Sequence, residues 1–176
     1  GSPTGVVSGL GSAFPAAYQN AIYACDWTYG TLYAVHLTPE GAGYTAKLEE
    51  FLSGKPLPLT DVVIGKEGAM YFAIGGRRTQ SAVYRLSYFG NENTAPAPKP
   101  VETAEHKLRI NLERLHDEGT GPEAVEKAWP YLSHPDRLVR YAARIAIERQ
   151  PVNLWSNRVL EQKEPWGVIE SAIALG

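Results

Sequence analysis

The spacing of hydrophobic positions changes character near residue 100. Before it, short apolar runs alternate with glycine turns: Ala21–Cys25, Leu32–Leu37, Leu59–Ile64, Ala69–Ile74 and Ala82–Tyr88, with a looser alternation from Tyr44 to Phe51. Such runs are rich in β-branched and aromatic residues and lack a helical period, so they predict an all-β unit over residues 1–90. Thr38-Pro39-Glu40-Gly41 and Gly65-Lys66-Glu67-Gly68 read as turns.

Part of this pattern repeats. Ala21-Ile22-Tyr23 returns as Ala69-Met70-Tyr71, and Leu32-Tyr33 as Val83-Tyr84. A period of roughly 40–50 residues is that of a propeller blade. Runs that are apolar on both faces also suit blades packed face to face. The pattern favours a partial β-propeller over a small sandwich or meander. A closed propeller needs roughly four blades or more. The blades' partners are therefore expected outside this sequence, and the isolated chain is expected to self-associate through an unpaired edge. The second copy is longer, and its extra residues fall in a predicted loop over Gly75–Ser81.

Residues 91–100, Asn-Glu-Asn-Thr-Ala-Pro-Ala-Pro-Lys-Pro, have no apolar period and predict an extended polyproline linker. From 101 to 176 the period becomes helical. Leu108, Leu112 and Leu115 form one stripe and Val125, Ala128, Trp129 and Leu132 a second. A third helix is predicted to open at Ser133 or His134 and to bury Leu138, Tyr141, Ala142 and Ile145. Two short helices follow near 155–161 and 166–175. Short helices joined by Gly/Pro turns predict an antiparallel helical array.

Of the 176 residues, 44% are hydrophobic and 20% charged, a globular balance. A net charge of −2 supplies no general attraction to nucleic acid or anionic membrane. No apolar run approaches the ~20 residues of a membrane span, and no signal peptide is visible. One cysteine, Cys25, excludes an internal disulfide and is expected to be a small buried apolar residue. His36, His106, His116 and His134 have no metal-ligating spacing, and no catalytic residue is identifiable.

Asp136-Arg137-Leu138-Val139-Arg140-Tyr141-Ala142-Ala143 resembles the core of a HEAT repeat. There the valine packs inward, and aspartate and arginine can pair between neighbouring repeats. Tyr23–Gly30, Leu57–Val63, Gly68–Phe72 and Gly75–Ser81 resemble the closing blades of glucose/sorbosone dehydrogenase-type propellers. The order propeller, linker, HEAT array is similar to that of large bacterial membrane-bound dehydrogenase or haem-binding domain proteins. The resemblance implies a quinone-dependent sugar or alcohol dehydrogenase in an exported, periplasmic or cell-envelope parent. It also implies pyrroloquinoline quinone and calcium in that parent, and haem c only where a downstream module exists. Missing blades, further HEAT repeats and a protein docked on the helical array are the implied partners. The alternative is a non-catalytic protein- or glycan-binding scaffold.

In this propeller type the ligand face is built by certain loops, here Asp26–Gly30, Ser53–Pro58 and Gly75–Ser81, which should open on one side. Arg77 and Arg78 beside Gly75 and Gly76 are the leading cofactor-binding candidates. Glycines admit an anion to the backbone, arginine pairs carboxylates bidentately, and the quinone carries three carboxylates. Asp26 could bind a metal or substrate, or satisfy its own turn. Asp61, beside Thr60 at the start of an inner strand, reads as a buried structural hydrogen-bonder and not a catalyst.

Overall fold

The computed structural model describes residues 1–76, 78–117 and 121–176. Contacts divide the chain into two units: residues 1–38 with 45–100, and 39–44 with 101–176.

Among the described residues the first half forms two antiparallel sheets. One has the order β1 (Pro3–Ser8), β2 (Ile22–Asp26), β3 (Thr31–Glu40), β4 (Gly43–Ser53); the other has β5 (Leu59–Ile64), β6 (Met70–Gly76), β7 (Thr79–Leu86). Both are meanders in chain order. Tyr23 pairs with Ala34 across β2 and β3, and Tyr71 with Arg85 across β6 and β7, so the repeated tripeptides occupy matching second strands. Side chains alternate across each strand. Tyr23, Cys25, Leu32 and Ala34 of the first sheet meet Leu59, Val62, Met70 and Phe72 of the second in one core. Cys25 lies in that core, and its burial pushes the thiol up to about 11. The outer face of the second sheet leaves Val63 and Val83 exposed, so these strands are not covered on both sides here. Asp61, expected to be buried, is exposed as well, and its Oδ1 accepts only the neighbouring Val62 N–H among the hydrogen bonds of the described residues (2.8 Å).

A four-residue helix, α1 (Ala16–Gln19), holds the proline-rich segment. Buried Gln19 donates from Nε2 to the carbonyls of Thr94 (3.2 Å) and Ala95 (2.9 Å), and its Oε1 accepts from Ala97 N–H (2.8 Å). One side chain thus reads the backbone of an extended chain.

The second unit contains α2 (Ala104–Glu113), α3 (Gly121–Ala128), α4 (Arg137–Glu148), α5 (Ser156–Val159) and α6 (Pro165–Leu175), with tight 3-10 turns between some of them. Its core joins Leu112, Val125, Leu132, Val139, Ala143, Ile147 and Trp155. The order of helices agrees with the helical pattern, but two local expectations are corrected. First, α4 is capped by Asp136, not Ser133 or His134. Its Oδ1 accepts from the N–H groups of Leu138 (2.8 Å) and Val139 (3.4 Å), while residues 129–133 form a separate 3-10 turn. Second, the buried face of α4 is Val139, Ala142, Ala143, Ala146 and Ile147; Leu138 and Ile145 are only partly buried and Tyr141 is 54% exposed. α4 is packed by α2, α3 and α6, and alanines let helices approach where larger side chains would not.

The Asp136 and Arg140 of the motif do not pair with each other. Asp136 Oδ2 accepts from Ala42 N–H (2.7 Å), and Arg140 donates to the carbonyls of His134 and Pro135 and pairs with Glu170 of α6. Among the described residues no helix is long and apolar enough to cross a membrane.

Candidate ligand-binding loop cluster

At one end of the β unit the chain reverses after β2, after β4 and after β6. The first turn is fixed by its own aspartate. Asp26 Oδ1 accepts from the N–H groups of Thr28 (2.9 Å), Tyr29 (3.0 Å) and Ser2 (3.2 Å), and Gly30 N–H returns to the Asp26 carbonyl (3.1 Å). The Tyr29 N–H, foremost among these donors, holds the Asp26 carboxyl below its ordinary range. Gly30 closes the turn at φ +65°, where a Cβ would lie 2.6 Å from the Gly54 carbonyl, so only glycine fits.

Cross-links join the three connections. Gly54 N–H donates to the Gly30 carbonyl (3.0 Å), Gly75 N–H to the Pro58 carbonyl (3.0 Å), and the Trp27 indole Nε1–H to the Gly75 carbonyl (2.8 Å). The three segments expected to open on one side are therefore bonded together. Between the first two lies a cleft of about 410 Å³ lined by Trp27, Tyr29, Lys55, Pro56 and Leu57. Tyr29 is 61% exposed, and the Trp27 ring is held by its indole bond yet remains partly open. Lys55 has no ion-pair partner among the described residues.

The dibasic segment differs from its expectation. β6 continues through Gly76 and β7 begins at Thr79, with Gly76 paired to Thr79. The extra residues lengthen a ladder, with a register irregularity between Ile74 and Gly76, and do not open a loop over 75–81. Arg78 sits at the turn with φ +63° and is exposed. Arg77 lies outside the described residues.

The fit to a quinone and calcium can be tested on these groups. Both backbone polar groups of Gly75 are engaged internally, and Asp26 Oδ1 already accepts three N–H groups. No group of three or more His, Cys, Asp and Glu that could hold a metal occurs among the described residues. The Gly75 backbone and Asp26 Oδ1 are thus already committed to holding the turns together. Reading the sequence for charge and glycine passed over Trp27, Tyr29 and Lys55. The available signal was two aromatics inside a turn that strand pairing does not need. No family model, curated protein or solved structure matches the chain.

Proposed function

We propose that this end of the β unit is a ligand-binding face, and that the chain is part of a β-propeller protein of the glucose/sorbosone dehydrogenase type followed by HEAT-like helices. The observation that carries the reading is a cleft between two connections, cross-linked to the third, with exposed aromatics and an ammonium that has no ion-pair partner among the described residues. Binding sites concentrate on loops that a rigid scaffold positions. In this reading the parent oxidises a sugar or other alcohol, blades beyond these residues hold the general base and complete the site, and this face contacts the quinone or the sugar. The chain's own contribution is binding surface.

The rival, a non-catalytic scaffold, gains from one observation: Asp26, the carboxylate that opens the first turn, is engaged by that turn's own N–H groups.

The test is calorimetric titration of the chain with pyrroloquinoline quinone, with and without calcium, and with glucose. Wild type should bind one of them, and Tyr29→Ala and Lys55→Ala should each weaken it about threefold or more with unchanged melting. Binding that ignores both substitutions would remove the cleft from the reading. Quinone binding would favour the dehydrogenase, and sugar binding without quinone the scaffold.

A further inference from the structure

The cleft at the loop end selects among ligands by what it offers and by what it has already spent. Its walls hold two aromatic rings, Trp27 and Tyr29, and two prolines, Pro56 and Pro58. No Asp or Glu lines it, and its one cation is Lys55. Lys55 is exposed and has no ion-pair partner among the described residues.

The backbone adds no cradle for further negative charge. Trp27 N–H donates to the Ser2 carbonyl (3.0 Å), Thr28 and Tyr29 N–H to Asp26 Oδ1, Gly30 N–H to the Asp26 carbonyl and Gly54 N–H to the Gly30 carbonyl. Pro56 and Pro58 have no N–H to give. The Trp27 indole N–H is spent on the Gly75 carbonyl. Phosphate sites gather several backbone N–H groups or bidentate guanidiniums. A phosphorylated ligand or a tricarboxylate would meet one ammonium in this cleft and little else. A single negative charge is what the compact Lys55 ammonium matches.

The rings narrow the class further. Trp27 is 41% and Tyr29 61% exposed, so a ligand laid on them keeps one side in water. A wholly apolar ring gains most from being covered on both sides. A pyranose has an apolar face, which can cover an aromatic ring, and a rim of hydroxyls, which stays solvated. Thr28 is exposed, and its hydroxyl, like that of Tyr29, can donate to and accept from such a rim. We propose, resting on the ligand-binding reading of this face, that the cleft takes a sugar carrying one carboxylate. This hexuronate unit lies with its ring against Trp27 and Tyr29 and its carboxylate on the Lys55 ammonium.

The probes are methyl glucuronoside and methyl glucoside, titrated into the intact chain by calorimetry and followed in nitrogen–proton correlation spectra. The two differ only in a carboxylate against a hydroxymethyl group. The glucuronoside should bind about tenfold more tightly, the worth of one charge-assisted hydrogen bond. The ratio should shrink as salt is added. Lys55→Gln, at an exposed position, should bring the ratio to about one, because it removes the charge and keeps a donor. Tyr29→Ala should weaken both glycosides alike. Equal binding of the two by wild type, or a ratio that survives Lys55→Gln, would overturn the proposal and leave the ligand-binding face standing. Tighter binding of a glucose sulfate would replace the carboxylate by another anion, and tighter binding of benzoate would replace the sugar by an aromatic acid. Either result would likewise overturn it. Failure of the wider reading looks different: neither glycoside, nor glucose, nor quinone would move the Trp27 and Tyr29 resonances, and the proposal would fall with it.

Discussion

Arg78 shows how a residue singled out for charge turns out to be held by backbone geometry. It occupies the left-handed region at a tight β6–β7 turn, a conformation that disfavours any side chain. Arg78→Gly should therefore raise stability by about 0.5–1 kcal/mol in chemical denaturation, because glycine adopts that φ without strain. A loss of stability would mean that the guanidinium makes a contact that outweighs the strain. Asp26 gives a second residue-scale test. Its carboxyl is held low by backbone N–H donors, so the ionised form stabilises the folded state. That contribution is present above the carboxyl's unfolded pKa and is lost as pH falls through its lower folded value. Asp26→Asn keeps an acceptor oxygen but removes the charge. The melting-temperature gap between wild type and Asp26→Asn should be open at neutral pH and close on acidification below the ordinary carboxylate range. A gap that persists unchanged at low pH would show that the charge plays no part.

At the scale of elements, strands and helices were legible where the period was clean. Each predicted apolar run of the first half coincides with a strand to within one or two end residues, because period two and glycine punctuation leave little choice of backbone, although β3 runs on to Glu40, through most of the turn expected at residues 38–41. β1 and α1 went unseen: Pro3–Ser8 has few large apolar residues, and a four-residue helix has no period to read. The face of α4 was misjudged for a physical reason. The stripe read from the sequence, Leu138, Tyr141, Ala142 and Ile145, is right only at Ala142; close helix packing adds Ala143 and Ala146 and seats Val139 and Ile147 between neighbours. Ile147→Ala should accordingly destabilise the helical unit by about 2–5 kcal/mol. Leu138→Ala, at a half-open position, should have less than half that effect. Urea unfolding followed by far-ultraviolet dichroism decides the order, and equal losses would restore the face read from the sequence. The loop cluster was half legible. The three connections follow from strand order alone, but the cross-links that close the cleft are backbone and indole bonds that no residue pattern announces.

At the scale of the whole molecule, several apolar surfaces stand open to solvent. β7 is an edge strand with Val83 exposed, Val63 lies open on the same sheet, and α6 presents Trp166, Ile169 and Ile173 to solvent. Exposed edges and apolar helix faces promote association. Sedimentation velocity from micromolar to submillimolar concentration should show mass rising with concentration, and Val83→Lys should reduce it. A monomer throughout that range would contradict the expectation. The central claim, however, concerns the loop end, and the Trp27 indole N–H reports on it directly because it bridges two of the connections. In a nitrogen–proton correlation spectrum titrated with glucose and with pyrroloquinoline quinone, the account predicts that one of them shifts that resonance together with the Tyr29 and Lys55 amides, while α4 amides stay still. Unmoved Trp27, Tyr29 and Lys55 signals at saturating concentrations of both would contradict it.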